Sequence, residues 1–421
     1  MDDGHQLEAA LGSSNWDQVN ALLNEGFFRY IFTAPDLLQR VFESAPLEWF
    51  DRHPRQVMSR AILAATRQPV MLIDPEAQTK FCQWVQSQDA PSTRDVLGVQ
   101  QAGMRALLAA ARYRDAARAA DDALDLINRA PDTHGFHDVI PSVLIRCGTA
   151  KLLAADLDAA VMFFSEAVRW ASARYEHPIA RYAREHLALA YALTERYRQA
   201  DDLLRDGPDT LFDPGTAHYH FQSAGILARL LVALSGPHVA EPMPLLASLD
   251  KPLLSGDWWW VAVHVRAVAA LSAGDRWAMI HEIDHHLLTQ RARAMPETIA
   301  GTMLRADLAG LYQAVGDLRA ADHVIRTRGL RHGQPSMVVA AARQELLRGQ
   351  PKRALAVLRA DEANGSANVP ARRQPTGAVL YAAAEHGVTG SVSETTLAAA
   401  ATAMNHRRAY GGLVQAPPAL R

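Results

Sequence analysis

The segment His281-Glu282-Ile283-Asp284-His285, followed by His286, is the sharpest local match to a chemical device in this chain. On a helix, two histidines four residues apart lie one turn from each other and can share a zinc ion, with the glutamate as general base. Aspartate directly before the second histidine is unusual for a peptidase, and no third ligand follows at a familiar distance. The nearest carboxylate candidate is Glu297. In a chain with 17 histidines, so short a pattern arises readily by chance. The expectation is no metal, no cofactor and no catalytic residue. A zinc-dependent hydrolase using His281, Glu282 and His285 is the remote alternative.

Other chemistry-bearing residues are scattered. Trp258-Trp259-Trp260 follows Ser255-Gly256-Asp257, with Asp257 placed to cap a helix. Three adjacent helical residues point about 100° apart, so at least one indole is expected to be exposed or to meet a neighbouring hairpin. His218-Tyr219-His220, His323 and His332 read as solvated side chains, and Arg291-Ala292-Arg293 and Arg407-Arg408 as charges at helix C-termini. There is no Gly-x-Ser-x-Gly elbow, and neither Cys82 nor Cys147 has a nearby histidine motif. The lysines at 80, 151, 251 and 352 follow Thr, Ala, Asp and Pro, so no Gly-Lys-Ser/Thr phosphate loop exists.

The elements that position these residues follow from composition and period. Of 421 residues, 76 are alanine, the strongest helix former, against 25 glycines and 22 prolines. Hydrophobic residues make up 49% and charged residues 21%, values of an ordinary globular chain. The net charge of −2 gives no basic field for nucleic acid or an acidic membrane. Two cysteines cannot build a disulfide framework. The opening MDDGHQLEAAL has no export-signal pattern, and the apolar stretch from Trp258 to Ala273 is broken by His264 and Arg266. A cytoplasmic location with no membrane contact is expected.

Strand alternation is nearly absent, whereas apolar residues recur at helical spacing throughout. The helical segments repeat. Leu144 and Gly148, then the turn Ala155-Asp156, then Leu157, Ala160, Phe164, Ala167 and Val168 form one unit. Leu187, Ala188, Tyr191, Tyr197, Ala200 and Leu204 form the next. Two later copies read Gly316-Asp317-Leu318 with Ala321 and Ile325, and Gly349-Gln350-Pro351 with Ala354 and Leu358. An earlier copy carries Tyr113, Ala116, Ala120, Ala123 and Leu124. Weaker copies surround Gly274-Asp275 and Trp16-Val19-Leu23. A small residue on the second helix allows close approach, and a large apolar residue four positions on fills the space beside it. One hairpin cannot bury both of its faces, so neighbours must stack.

These residues resemble the tetratricopeptide repeat. More narrowly they resemble the helical sensor region of MalT-like large LuxR-type transcriptional regulators. Pro35-Asp36-Leu37-Leu38, Ser44 to Phe50 and Arg52-His53-Pro54 look like that family's entry to its array, and Leu397 to Leu420 like its last hairpin and tail. The resemblance implies an all-α, tetratricopeptide-like right-handed α-solenoid of stacked hairpins, here without the family's ATPase and helix-turn-helix domains.

The expected organisation is amino-terminal hairpins over 1–90, a repeat array over 91–360, a flexible loop over 361–377 and a terminal hairpin and tail over 378–421. The expected function is a non-enzymatic regulatory binding module, in transcriptional or signalling control, whose concave face holds a peptide, a small inducer or a partner protein. No direct nucleic acid binding is expected. The alternative is a protein-only scaffold or assembly chaperone. In tetratricopeptide arrays the first helix of each pair lines the concave face. Counting from the marker alanines puts Gln101, Arg105, Tyr182, Glu185, His264 and Arg343 there as ligand-binding candidates, among apolar neighbours such as Ile145, Leu152, Leu189 and Met303.

Overall fold

A computed structural model describes residues 3–68, 71–133, 135–172, 177–205, 207, 216–236, 246, 249, 256–327, 335–363, 370–407 and 409. The described residues form 21 α-helices and one 3-10 turn, with no strand among them, so the fold is all-α. The amino-terminal helices are α1 (Asp3–Gly12), α2 (Trp16–Thr33), α3 (Pro35–Ser44), α4 (Leu47–Arg52), α5 (Pro54–Thr66) and α6 (Pro75–Gln86). Next come α7 (Thr93–Ala109), α8 (Tyr113–Arg129), α9 (Ile140–Leu153), α10 (Leu157–Ser172), α11 (Ala180–Leu193), α12 (Tyr197–Leu204) and α13 (Ala217–Ser235). Then follow α14 (Trp259–Ala273), α15 (Arg276–Thr289), α16 (Ile299–Ala314), α17 (Leu318–Ile325), α18 (Pro335–Leu347) and α19 (Pro351–Ala363). The 3-10 turn Ala371–Arg373 leads into α20 (Pro375–Thr389) and α21 (Glu394–Arg407). No described helix is long and apolar enough to cross a membrane.

Local chemistry sets the helix boundaries. Proline opens α3, α5, α6 and α20, where its missing N–H is harmless. The side chains of Asp275, Thr298 and Asp317 accept backbone N–H groups at the starts of α15, α16 and α17. Six of the turns between described helices share one geometry, while the α14–α15 turn at Gly274 has φ −116°. Ser14, Ala111, Ala155, Glu195, Gly316 and Gly349 all have positive φ, between 52° and 87°, and each lies two residues before the next helix. The amides of Asn15, Arg112, Arg196, Asp317 and Gln350 each reach back five residues to a helix carbonyl, at 2.8–3.0 Å. That is the Schellman closure, which satisfies carbonyls orphaned at the end of the first helix.

Each turn fixes the phase of the second helix in its hairpin. Ala116, Ala160, Ala200, Ala321 and Ala354 are each the fourth residue of the second helix, and all are 0% exposed. Gly148 on α9 complements Phe164 on α10. A β-carbon at Gly148 would stand 2.5 Å from Phe164 Cε1, so the ring occupies the space that the missing side chain leaves.

The chain divides into two compact units. The first comprises Met1–Lys151, Ala160–His186 and Leu211–Ser223; the second comprises Leu152–Ala159, Leu187–Thr210 and Ala224–Arg421. These divisions do not coincide with residues 90, 360 and 377. In the first unit α7 pairs with α8, and Arg94 holds Asp138 through two buried hydrogen bonds of 2.5 and 3.0 Å. In the second, α14 pairs with α15, α16 with α17, α18 with α19 and α20 with α21. The first helices also pack on one another, α14 on α16, α16 on α18 and α18 on α20.

Several local expectations need correction. Trp258, Trp259 and Trp260, by contrast, are buried at 6%, 1% and 0% exposed, in keeping with the packed alternative for this run; Trp258 precedes the helix. Asp257 is not the cap of α14, whose start has no side-chain cap; it lies 3.9 Å from Arg293. The segment 361–377 is ordered at both described ends. Asp361 Oδ2 accepts the Ala371 amide at 2.7 Å, and Ala371 packs with Leu358 and Leu380. His332, Arg408, residues 364–369 and the tail from 410 onward lie outside the described residues.

Candidate functional site

A cavity of about 190 Å³ lies within the second unit. Its walls are the first helices of three consecutive hairpins. Helix α14 contributes His264, Val268 and Leu271, α16 contributes Ile299, Met303, Asp307, Gly310 and Gln313, and α18 contributes Val339, Ala340 and Arg343. Intervals of three and four residues keep the α14 and α16 sets each on one helical face. Asp158, the turn Thr194–Tyr197, Leu231 and Leu234 of α13, and Gln374, Thr376 and Arg407 also line it.

The polar groups are organised in pairs. His264 Nδ1 meets Asp307 Oδ2 at 2.8 Å, with both side chains largely buried. Desolvation by itself would lower the His264 pKa; the charge and hydrogen bond of Asp307, with the more distant Glu195, outweigh it and hold the imidazole above its ordinary value. Glu195 occupies the left-handed turn position at φ 57°. Its carboxylate accepts the Thr376 amide at 3.2 Å and the Thr376 hydroxyl at 2.9 Å. Loss of water pushes the Glu195 carboxyl above its usual range, against the Thr376 hydrogen bonds and the charges of Arg407 and His264. Arg407 donates to the Thr194 carbonyl at 3.3 Å, and desolvation lowers its pKa while Glu195 opposes that. It is therefore a half-buried part of the cavity wall rather than a solvated charge at a helix end.

Gln313 bridges neighbouring hairpins. Its Nε2 donates to the Ala340 carbonyl at 2.9 Å and to Gln344 Oε1 at 3.0 Å, while Gln344 Nε2 donates to the Leu318 carbonyl at 2.8 Å. Gln313 Oε1, buried, has no hydrogen-bond partner. The remaining lining mixes aliphatic residues, such as Leu231, Leu234, Val268, Leu271, Ile299 and Met303, with Asp158, Arg196, Ser235, Ser272, Ser336 and Gln374. The arrangement combines apolar walls with fixed charges and amides, which is the make-up of a small-molecule site.

No protein-family model matches the chain, and no curated protein matches it.

Two of the six sequence-derived candidates, His264 and Arg343, come together in this cavity. The other four belong to the first unit. Gln101 on α7 reaches Ser142 Oγ at 3.4 Å, and Arg105 on the same helix is half-buried. Tyr182 is 1% exposed, stacks on Phe32 at 5.5 Å and hydrogen-bonds His218 Nδ1 through its hydroxyl. Glu185 is 2% exposed and accepts from Arg181 Nε at 3.0 Å. His218 Nε2 contacts the Phe32 carbonyl at 3.2 Å and His220 Nε2 the Thr66 carbonyl at 3.0 Å. Burial lowers the pKa of both histidines, so they serve as packed tethers rather than solvated side chains.

The His281-Glu282-x-x-His285 segment lies on α15 with both histidines exposed. Glu282 Oε1 is taken by Arg266 Nη1 at 2.7 Å, and His286 Nε2 is 4.0 Å from the same oxygen. Among the described residues no group of three or more His, Cys, Asp or Glu is placed to hold a metal ion.

Sequence reasoning missed Glu195, Asp307, Gln313, Thr376 and Arg407. Glu195 carried a readable signal. Five residues before each marker alanine the copies have Ala111, Ala155, Glu195, Gly316 and Gly349, and glutamate is the one long charged side chain at that strained position. Asp307 is likewise a lone carboxylate on a helix whose other residues are mostly apolar.

Proposed function

We propose that this protein is a non-enzymatic binding module that takes a small molecule into the second-unit cavity and acts as a regulatory sensor. In this reading the hairpins form a tetratricopeptide-like right-handed α-solenoid, of the kind found in MalT-like regulators, and the cavity is a closed-in part of its inner face. The observation that carries it is the convergence of Glu195, His264, Asp307, Gln313, Arg343 and Arg407 on one chamber that also has a large aliphatic share of its lining. Buried paired charges of this kind are no stability device: replacing such a pair by well-packed hydrophobic residues is often neutral or stabilising by about 1–4 kcal/mol. Retaining them is what a ligand site requires and a packing layer does not.

Gly310 supports the same reading. It sits inside α16, where glycine costs about 1 kcal/mol relative to alanine. Among the described residues, a β-carbon there would meet Leu271 Cδ1 at 3.8 Å and Arg343 Nη1 at 4.0 Å, both cavity residues. The residue keeps the chamber open beside Arg343 instead of permitting a close helix crossing.

The test is native mass spectrometry of purified protein beside a Gly310→Leu variant, whose added side chain enters the chamber while improving helix propensity. A retained small molecule in the wild type that is absent from a folded variant supports the proposal. Identical spectra, with or without adducts, refute it.

A further inference from the structure

We infer that His264 Nε2 is the atom by which the cavity holds its ligand, donating from the protonated ring to an acceptor oxygen on a compact organic molecule, so that binding is coupled to a proton. The inference rests on the small-ligand reading above and adds the contact and the class of ligand.

The geometry leaves one ring nitrogen open. His264 lines the chamber from α14, and its side chain keeps 16% of its surface. Nδ1 is taken by Asp307 Oδ2 at 2.8 Å. A carboxylate accepts and does not donate, so Nδ1 keeps its proton whether the ring is neutral or charged. The proton that comes and goes is the one on Nε2. Among the described residues none hydrogen-bonds Nε2. Gly310 follows Asp307 by three residues on the same face of α16, so the gap left by its missing side chain opens on the side that carries the pair.

The surrounding groups favour the donor form of the ring. Arg266, two positions on and therefore on another face of α14, is held by Glu282 of α15, with His286 at 4.0 Å from the same carboxylate oxygen. Asp307 faces the chamber from α16, Glu195 and Arg196 from the turn before α12, Asp158 from α10, Arg343 from α18 and Arg407 from α21. Tyr197 also lines it, and burial pushes its hydroxyl up, so it stays neutral. Burial by itself would lower the pKa of His264; Asp307 and then Glu195 outweigh it and hold the ring above its ordinary value. An enclosed imidazolium N–H with no acceptor is costly, and a ligand oxygen removes that cost. A ligand that only donates would need the neutral ring and would oppose both carboxylates.

The chamber limits the rest of the molecule. A cavity of about 150 Å³ accepts benzene, so one of about 190 Å³ suits roughly seven to nine non-hydrogen atoms. The aliphatic share of the lining, with Leu231, Val268, Leu271 and Met303, receives a hydrocarbon body.

Isothermal titration of the full chain between about pH 5.5 and 8.5 tests this, across the range in which a histidine titrates. The probes are cyclohexanone and acetophenone, each beside the isostere in which a methylidene group replaces the ketone oxygen, methylenecyclohexane and α-methylstyrene. Nuclear magnetic resonance of ring-labelled histidine, assigned with His264→Gln, gives the folded pKa of His264. Below that pKa at least one ketone should bind saturably, and at least about tenfold more tightly than its isostere. Above it the affinity should fall by up to about tenfold per pH unit, because binding must then take a proton from solution. His264→Gln keeps an N–H donor that cannot titrate, so any binding it retains should lose this slope. Gly310→Leu should abolish binding. The isostere comparison and the pH slope are both read on the wild type, so a folding defect in a variant leaves them decisive. Equal affinity for ketone and isostere, a flat pH profile or an affinity that rises with pH overturns the inference. If Gly310→Leu abolishes that binding, the cavity reading stands. Binding of no probe overturns the inference directly, and the cavity reading falls with it only if native mass spectrometry also finds nothing retained.

Discussion

The same substitution, glycine to alanine in the middle of a helix, should have opposite effects at positions 148 and 310. In an isolated helix the change gains about 1 kcal/mol at either place. At Gly148 the new β-carbon would stand 2.5, 2.6 and 2.9 Å from the Cε1, Cδ1 and Cζ atoms of Phe164. Phe164 is 0% exposed and has His186 against it at 5.6 Å, so the ring cannot swing into solvent. Overpacking of this kind costs about 1–3 kcal/mol, and with contacts this short the upper part of that range applies. The net expectation for Gly148→Ala is destabilisation by about 1–2 kcal/mol. At Gly310 the nearest atoms are 3.8 and 4.0 Å away, ordinary contact distances. There the propensity gain survives, and Gly310→Ala should stabilise by up to about 1 kcal/mol. Urea unfolding followed by far-ultraviolet circular dichroism reads both changes. Midpoints that move in the same direction by similar amounts would refute the assignment of Gly148 to a close crossing and of Gly310 to an open chamber.

Ala160→Phe and Ala200→Phe should each destabilise by about 1–3 kcal/mol, while Arg169→Ala should stay within about 0.5 kcal/mol; equal effects at the two kinds of site in denaturant titrations would mean the repeat phase is wrong. His264 is held above its ordinary 6.5, so its pairing with Asp307 contributes fully below that pH and is lost as pH rises through the folded value. Melting curves of wild type should therefore fall more steeply above pH 6.5 than those of His264→Gln, and parallel curves would contradict the pairing. Glu195 acts with the same sign from 4.5 upward, because burial delays ionisation in the folded chain. Cys147 is buried with its thiol pushed up to about 12, whereas Cys82 is partly exposed, so a thiol reagent should label Cys82 first and Cys147 only on unfolding. His285→Ala should leave stability within about 0.5 kcal/mol and the metal content unchanged; elemental analysis showing one zinc per chain that this substitution removes would overturn the expectation for α15.

Much of the architecture was legible because it is written in interactions between residues near one another in the chain. Alanine content, helical period and small turn residues identify an all-helical protein, since a cap, a Schellman turn and a helix face each depend on residues within about five positions. The burial of Ala116, Ala160, Ala200, Ala321 and Ala354 follows from that local phase. The same logic reached His264 and Arg343, which face the cavity from two first helices. It misjudged Tyr182 and Glu185, which hold comparable positions on α11, because period says which way a residue faces and not whether that face is filled. Phe32 and His218 fill the space around Tyr182. Counting turns could not foresee an aromatic ring from α2 at that place.

Tertiary structure alone decided the chemistry of the cavity. Glu195 meets Thr376 across 181 positions, Arg407 reaches the Thr194 carbonyl across 213, and His264 finds Asp307 across 43. None of these pairs is required by a helix or a turn. Each forms because stacking removes a charge or amide from water, and its desolvation must be offset by whatever partner the fold brings within reach. A local pattern records which surfaces are apolar and how they repeat. Which polar groups share an enclosed space depends on where distant segments come to rest, and that is set by the packing of whole helices rather than by any short stretch of sequence.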